Sequence, residues 1–183
     1  MKLMENKTVC IVIMILFLLA GVFLGGYKGL SAQYRNVSDI FFTGEAGDGV
    51  CAANDMAERA SKLTNMKTIG AKYLQPKDSC LQEAVSAVSA YNSAEGDIPA
   101  MFQANRIMDT AMENLYRELE DAGLSEKDES YRQRLYADFN SRNDTISHDV
   151  YFSYAQTYNQ ILTQFPASLI QTIIPVKTAA ISY

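Results

Sequence analysis

The sequence predicts an all-α protein: a single N-terminal transmembrane helix followed by an antiparallel four-helix bundle. The first observation behind this prediction is an uncharged apolar stretch of 19 residues, from Thr8 to Gly26. At a rise of about 1.5 Å per residue, this stretch matches the roughly 30 Å hydrocarbon core of a bilayer. The second is that later apolar residues recur at steps of three and four, the spacing of amphipathic helices. The third is that the sequence contains no alternating run and no hairpin pattern, so strands are not predicted.

The apolar stretch admits two interpretations, a membrane anchor and a cleaved signal peptide. The short basic region at residues 1–7 suits both. However, the uninterrupted apolar run exceeds the roughly 7–15 residues of a signal peptide's hydrophobic region. A cleavage-like site at Ser31-Ala32 also has Leu30 where a small residue is preferred. We therefore interpret residues 8–27 as a transmembrane helix that contacts the lipid bilayer.

The charges that flank this helix do not decide its orientation. Lys2 and Lys7 precede it, and Lys28 and Arg35 follow it. The cytoplasmic flank of a membrane helix normally carries the excess of positive charge. Here each flank has two basic residues, so the charges favour neither orientation. Short basic N-termini usually stay in the cytoplasm. We therefore expect a single-pass protein of the cell membrane whose soluble domain is extracytoplasmic.

The soluble part of the chain is acidic. From Val37 onward it carries 12 Lys/Arg and 20 Asp/Glu, a balance of −8. Such a charge disfavours binding to nucleic acid phosphates and disfavours a domain that lies flat on anionic lipid. We therefore expect no nucleic acid partner. The expected partner is a membrane or extracytoplasmic protein, and a homo-oligomer is compatible with the sequence.

Between the anchor and the bundle, residues 28–49 are predicted to form a connector with a glycine-rich hinge. Val37–Phe42 is apolar enough to continue the anchor as a helix. Gly44–Gly49 contains three glycines, which favours a loop. This loop lacks the GxxxxGK[ST] pattern and holds two acids that would repel phosphate, so we do not predict a phosphate site.

The bundle is predicted at residues 50–166 and a tail at 167–183. Its helices are expected at residues 50–74, 76–91, 97–122 and 125–164. In the last of these, the polar run 142–145 is expected to mark a kink or a restart. Pro166 is expected to end that helix. The apolar stretch Leu169–Val176 is expected to fold back on the bundle.

The third helix has the most regular pattern, with residues spaced alternately by three and four. They are Ile98, Met101, Asn105, Met108, Met112, Leu115, Leu119 and Ala122. A stripe of this kind most often packs against sister helices of its own bundle, and a dimeric coiled coil would need more repeats. Gly123 is expected to cap this helix and Ser125 to N-cap the next one.

The three cysteines have different expected environments. Cys10 lies in the apolar stretch, where it acts as an apolar residue. Cys51 and Cys80 fall on two successive helices. If the domain is exported, they could form a disulfide worth about 2–4 kcal/mol. The alternative is two unpaired core cysteines, and the sequence leaves both open because it does not supply the Cα–Cα distance.

The sequence as a whole carries a family resemblance. The residues of the C-terminal half that carry this resemblance are Tyr131, Leu135, Phe139, Ile146, Tyr154, Ala155, Tyr158, Asn159, Ile161, Leu162, Phe165 and Pro166. With Arg59 before Leu63 and Leu74, this order resembles the LemA family over essentially the whole chain. The most specific motifs are Tyr158-Asn159 and Phe165-Pro166. The resemblance implies a short N-terminus, one membrane helix and a bundle of long helices.

Three features depart from the family pattern. The family's Tyr-Pro before the last helix is Tyr131-Arg132 here, and its Glu-Asn pair is Asn143-Asp144. The Gly44–Gly49 insertion is also unlike the common form, which suggests a divergent branch. The family has no established molecular function, but some members are linked to membrane remodelling or to neighbouring membrane proteases. The resemblance therefore implies a fold and a membrane localisation rather than a reaction.

No set of residues in the sequence predicts catalysis. The single histidine, His148, lies beside Ser147 and Asp149, but adjacent residues on a helix point in different directions and do not form a triad. Glu118, Glu120 and Asp121 lack the Glu-x-x-His pairs of a di-metal bundle. We expect no catalytic residues, no cofactor and no metal.

Tyr151, Tyr154 and Tyr158 follow one another at steps of three and four on the last helix. They line either the core or an exposed aromatic groove for a partner helix. The sequence therefore favours a non-catalytic, membrane-anchored helical scaffold that docks a partner protein. The alternatives are an accessory domain of a membrane protease or hydrolase system, and an extracytoplasmic sensor acting through Cys51 and Cys80.

Overall fold

The computed structural model describes residues 7–181. Over these residues the chain is all-helical and has no strand, as predicted. Its helices are α1 (Lys7–Thr43), α2 (Ala52–Tyr73), α3 (Ser79–Ser93), α4 (Ile98–Glu118), α5 (Glu126–Ser147), α6 (Tyr151–Thr163) and α7 (Ala167–Ile173). The charged N-terminal residues before Lys7 lie outside the described part of the chain.

Helix α1 contains the apolar stretch and does not end with it. Among the described residues it is the one helix long and apolar enough to cross a membrane. None of the residues in its most apolar 18-residue segment is buried. A signal sequence near the N-terminus would meet the same criteria. The helix continues to Thr43, so Val37–Phe42 extends the anchor as expected and most of the predicted connector is helical. It ends at Gly44, whose φ of 83° and N–H bond to the Ile40 carbonyl (2.9 Å) form a left-handed cap.

The described residues form two compact units. Residues 7–37 and 154–179 form one, here called the apolar-helix unit, and residues 38–153 with 180–181 form the other, here called the acidic unit. Helices α1 and α6 each contribute to both. The apolar-helix unit holds four Lys/Arg and no Asp or Glu, whereas the acidic unit holds 11 Lys/Arg and 20 Asp/Glu. The charge of the chain is therefore divided by unit.

Helices α2–α5 of the acidic unit pack around a shared apolar core. The α4 stripe forms one wall of this core: Met108, Met112, Leu115 and Leu119 are fully buried. The sequence therefore identified this face correctly, and it packs within its own unit. The helix is shorter than predicted: α4 ends at Glu118, with Leu119 as its C-cap, whereas the sequence predicted an end at residue 122.

Polar contacts fix which ends of α2 and α5 lie side by side. At one end, the Tyr73 hydroxyl donates to Asp128, 2.7 Å away. At the other, Arg142 donates to Asp55, also 2.7 Å away. Residue numbers thus rise along α2 as those of their partners fall along α5. Ser125 caps α5 as predicted, since its hydroxyl accepts the Asp128 N–H at 3.2 Å.

The long last helix of the sequence prediction is two helices. The polar run 142–145 lies inside α5, and the chain breaks later, at residues 148–150. At the break, the Asp149 carboxylate accepts the N–H of Tyr151 at 2.8 Å and starts α6 as a cap. An aspartate can serve as a cap or lie on a solvated face, and the residue spacing does not distinguish the two.

The tail folds back, but onto α1. Helix α7 follows Pro166 and buries Ile170 against Gly26. The approach is close enough that a Cβ on Gly26 would meet the Ile170 side chain at 2.2 Å. The prediction that the tail folds back is therefore correct, and its packing partner here is the apolar helix.

Candidate functional site

The three tyrosines predicted to line a partner groove have different environments. Tyr151 is 0% exposed and Tyr158 is 2% exposed, so both are core residues. Tyr154 is half-buried and borders open space. Two of the three, Tyr154 and Tyr158, line one groove, whereas Tyr151 does not.

A different groove surrounds Tyr154 within the apolar-helix unit. Its volume is about 360 Å³, and α1 and α6 form its walls. It is lined by Ala32, Gln33, Asn36, Val37, Tyr154, Thr157, Tyr158 and Ile161. Gln33 and Asn36 are exposed and bring amide groups to a mainly apolar groove. Both residues lie in the predicted connector, where no sequence pattern indicates a groove.

The Tyr158-Asn159 motif fixes the C-terminal tail. The Tyr158 hydroxyl donates to the Lys177 carbonyl at 2.9 Å. Asn159 makes two hydrogen bonds with the backbone of Ala179: its amide donates to the carbonyl at 2.8 Å, and its oxygen accepts the N–H at 2.9 Å. Burial raises the pKa of Tyr158 to about 12, so its hydroxyl stays a donor at neutral pH.

Tyr151 has a comparable role in the acidic unit. Its hydroxyl donates to the Ala180 carbonyl at 2.8 Å. Its ring packs edge-on against Phe41 at 5.1 Å and lies 6.1 Å from Phe102. This residue is therefore a core anchor of helix α6 and of the tail rather than a ligand-facing group.

The second motif, Phe165-Pro166, lies in the link between α6 and α7. Its peptide bond is cis, and Phe165 is 83% exposed. The two halves of the family resemblance therefore differ. The Tyr158-Asn159 pair holds the tail, whereas the Phe165 side chain projects into solvent.

Arg59, the other residue of the resemblance, is completely buried in the acidic unit. Its guanidinium lies 3.9 Å from the Phe139 ring centre, and its Nε donates to the Phe139 carbonyl at 3.2 Å. The two remaining nitrogens donate to Asn105 and to Asp109. The Asn105 amide nitrogen is itself buried without a partner. The polar intrusion in the α4 stripe is thus explained, because Asn105 is needed as an acceptor for Arg59.

Arg132, at the position where the LemA pattern has a proline, is also structural. It is 4% exposed, stacks at 4.0 Å over the Tyr116 ring and donates to the Tyr116 carbonyl at 2.6 Å. Glu129 accepts two of its N–H groups at 2.7 and 2.8 Å. This bond lowers the pKa of Glu129 below its usual range. Arg132 therefore joins α5 to the end of α4.

Cys51 and Cys80 are free and buried. The Cys51 thiol donates to the Phe42 carbonyl at 3.3 Å, whereas Cys80 belongs to the apolar core. They lie at opposite ends of α3, because Tyr91 reaches the Ala53 carbonyl near Cys51. Tyr91 is about 16 Å from Cys80 along the axis of α3. Cys51, which lies near Tyr91, is therefore too far from Cys80 for a disulfide. The structure therefore has the two cysteines unpaired.

His148 does not form a triad with its neighbours. Its Nδ1 lies 2.9 Å from the Ser147 hydroxyl and 3.6 Å from Asp144, so both contacts use the same ring nitrogen. A triad needs the serine and the acid on opposite nitrogens. Asp149 instead accepts the backbone N–H of Tyr151 at 2.8 Å. Within residues 7–181, no group of three or more His, Cys, Asp or Glu side chains is placed to hold a metal ion.

The acidic unit also has a cleft of about 590 Å³. Its lining combines Phe42 and Met101 with Asn54, Tyr91 and Glu95. Tyr91 already donates its hydroxyl to Ala53, and burial raises its pKa. The cleft is therefore an open depression with a mixed, mainly apolar lining, in which no nucleophile lies beside a base.

Comparison of the chain with family models, with characterised proteins and with solved structures found no match.

Proposed function

We propose that this chain is a non-catalytic, membrane-anchored scaffold of the LemA type, and that its groove beside Tyr154 docks a partner protein at the membrane. The observation that carries the proposal is the continuity of α1. One helix contains the apolar stretch and, a few residues later, one wall of the groove. Anchoring and docking are thereby coupled by a single rigid element.

The exposure of the apolar stretch supports the anchor. Its large side chains from Ile11 to Leu19 are all 41–75% exposed, and α7 packs on α1 at Gly26. A core helix of a soluble domain would bury such residues. Each Leu, Ile, Phe or Val at the bilayer centre instead favours insertion by about 0.3–0.6 kcal/mol. The cleaved-signal alternative is disfavoured because Leu30, before the cleavage-like site, is buried and lies within α1.

We propose that α2–α5 form the antiparallel four-helix bundle. The support comes from paired contacts. Along α2 and α5, partner numbers run in opposite directions, from Asp55–Arg142 to Tyr73–Asp128. Helices α4 and α5 share the stacked pair Tyr116–Tyr136 at 4.0 Å. Short loops between successive helices suit this topology.

The groove has properties suited to a helix of another membrane protein. Ala32 lies about 9 Å beyond Gly26 along α1, so the groove begins just outside the hydrocarbon core. Its volume accommodates one or two side chains of a partner. Tyr154 and Ile161 offer apolar contact, and Gln33 offers an amide for hydrogen bonds. The partner that fits is therefore the juxtamembrane helix of a membrane protein.

The non-catalytic part of the proposal is supported by how the reactive side chains are used. Arg59, Arg132 and Asp149 form internal hydrogen bonds that hold helices together. The groove contains hydroxyl and amide groups but no ionisable acid or base of ordinary catalytic pKa. We further propose that the acidic unit is extracytoplasmic. A membrane protease is one class of partner that the LemA resemblance favours.

The proposal is tested by photocrosslinking in native membranes. A photoreactive residue at Gln33 is expected to form a discrete adduct with a membrane protein, while one at exposed Gln133 on α5 serves as the matched control. Ala32→Trp fills the groove and is expected to abolish the Gln33 adduct. Alkaline extraction of the same membranes tests the anchor, and the chain is expected to stay with the lipid.

Three outcomes would overturn the proposal. The first is an adduct that persists in Ala32→Trp or forms equally from Gln133, because the groove would then not be the docking surface. The second is an adduct of two copies of this chain, which would replace a separate partner by self-association. The third is release of the chain by alkaline extraction, which would remove the anchor.

A further inference from the structure

A second groove in the apolar-helix unit is strongly basic. It has a volume of about 700 Å³ and lies between α1 and residues 175–177. Lys28, Ser31 and Arg35 line it from α1, and their spacing of three and four places them on one helical face. Lys177 faces them from the tail. All three cationic side chains are exposed.

No salt bridge joins the cations of this groove to a described carboxylate. Residues 7–37 and 154–179 include no Asp or Glu, and the acid that follows on α1 is Asp39, four residues after Arg35. Tyr27 and Tyr34 also line the groove, and the Lys177 ammonium lies 5.9 Å from the Tyr34 ring centre. Neighbouring like charges repel one another unless an anion neutralises them. A site with three cations and with hydroxyl donors is suited to a phosphate group.

The groove is built by tertiary structure rather than by α1 alone. Lys177 is held in place because its own carbonyl accepts the Tyr158 hydroxyl. Two residues later, Ala179 is fixed by both hydrogen bonds of Asn159. The backbone that carries the third cation is therefore attached to α6 and is not a free tail.

The position of the groove along α1 matches the headgroup layer of a bilayer. At 1.5 Å per residue, Lys28 lies about 3 Å and Arg35 about 13 Å beyond Gly26. The headgroup layer occupies about 5–7 Å on each side of the hydrocarbon core. The flexible side chains of both residues can therefore reach a lipid phosphate.

Apolar surface adjoins the basic groove. Helix α7 packs on Gly26 through Ile170, while Leu169 and Ile173 remain 48% and 58% exposed. Leu24 of α1 is also 61% exposed. A ligand that satisfies both surfaces has an anionic head and apolar chains. Free inorganic phosphate would use only the first.

We propose that the groove of Lys28, Arg35 and Lys177 binds the phosphate of an anionic phospholipid, whose acyl chains lie along α7 and the end of the apolar stretch. The inference rests on the membrane anchoring of the proposed function. It is independent of the partner groove. It also gives the Tyr158-Asn159 motif a purpose, which is to hold Lys177 against α1.

The test measures lipid retained by the full-length chain in neutral detergent. Phosphatidylglycerol and phosphatidylcholine with identical acyl chains are added separately, and bound copies are counted by native mass spectrometry. Phosphatidylglycerol is expected to be retained preferentially. The variant Arg35→Gln/Lys177→Gln is expected to lose about twenty-five-fold in affinity, since each cation near an anionic lipid contributes roughly five-fold. Lys127→Gln/Arg134→Gln is the matched control, because it removes two exposed cations from another groove.

Equal retention of the two lipids, or an equal loss in the control variant, would overturn the proposal. Displacement of the lipid by millimolar inorganic phosphate would identify a free-phosphate site instead, and would also overturn it. Alkaline extraction separates this failure from that of the proposed function. A chain that stays in the membrane but shows no lipid preference refutes only the phospholipid site.

Discussion

The guanidinium of Arg59 lies 3.9 Å above the ring of Phe139, and its Nε donates to the carbonyl of the same residue at 3.2 Å. One side chain of α2 thus contacts both the ring and the backbone of α5. Further hydrogen bonds to Asn105 and Asp109 attach it to α4. Three helices of the acidic unit therefore meet at one buried charge.

Arg59→Ala is expected to destabilise the acidic unit by about 3–5 kcal/mol, because it leaves buried polar partners without a donor. The measurement is thermal unfolding of the full chain in detergent, followed by circular dichroism. Arg106→Ala, an exposed arginine on α4, is the control and should change stability by less than about 0.5 kcal/mol. Equal effects of the two substitutions would contradict the structural role of Arg59.

Asn159→Leu is expected to release the C-terminal tail. It removes two hydrogen bonds to Ala179, each worth about 0.5–1.5 kcal/mol net. Opening of the tail should therefore increase by about ten- to a hundred-fold. The rate of trypsin cleavage after Lys177 reports it, with Gln160→Leu on the exposed face of α6 as control. Unchanged cleavage would mean that Asn159 does not hold the tail.

Asp149 is expected to make stability depend on pH. Burial, and to a lesser extent the nearby Asp55 carboxylate, raises the pKa of Asp149 above its ordinary 3.8. Ionisation of this carboxyl therefore opposes folding. The free-energy cost of this ionisation is absent below pH 3.8 and is fully present above the raised pKa. The contribution of Asp149 to folding stability therefore falls as the pH rises from 3.8 through the raised pKa.

Asp149→Asn keeps a capping oxygen and removes the charge. It is expected to unfold at a higher temperature than the wild type at pH 7 and at an equal one near pH 3. Asp149→Ala loses the cap and should cost about 1 kcal/mol at both pH values. An Asn variant that is less stable at pH 7 would show that the charged form is the favoured one.

The thiols of Cys51 and Cys80 are expected to be slow to react with alkylating reagents in the folded chain. Both are buried, and burial raises the pKa of each thiol, so little thiolate forms at neutral pH. The experiment uses a Cys10→Ala background, with Ser130→Cys as an exposed control. Unfolding without reductant should expose both thiols. A requirement for reductant would instead reveal a disulfide.

The mature protein is expected to retain residues 1–32. Cleavage after Ala32 would remove the buried Leu30 and divide α1, whose helix runs unbroken to Thr43. The intact mass of the membrane-bound protein, carrying a tag after Tyr183, measures this directly. Leu30→Ala creates the small-x-small pattern of a cleavage site and provides a sensitised control. A wild-type mass that lacks residues 1–32 would show that the segment is a signal peptide.

The elements with strong periodicity were predicted well. The α4 stripe from Ile98 to Leu119 is buried as its spacing indicated, because a helix in a packed core must present one apolar face. The boundary between α5 and α6 was misplaced. The polar run 142–145 was expected to mark the break, but it fits equally well on a solvated helix face and lies inside α5. The break comes at residues 148–150, where Asp149 caps α6.

The candidate sites were less accessible from the sequence. Spacing placed three tyrosines on one face of α6, but whether that face meets a core or a groove depends on what packs against it. Tyr151 and Tyr158 are buried by other elements of their own units, whereas Tyr154 is only half-buried. Lys177 was counted within the acidic soluble part of the chain, although the fold assigns it to the apolar-helix unit.

By itself the sequence determined the apolar helix, the all-α class and the buried face of α4. These follow from the local rules of hydrophobic length and helical period, which act along a continuous stretch of chain. Only the tertiary structure decided that Arg59 is shared by three helices, that Cys51 and Cys80 lie apart, and that Lys177 faces Lys28 and Arg35. Each of these depends on segments far apart in the chain, and their proximity is fixed by packing that no local pattern encodes.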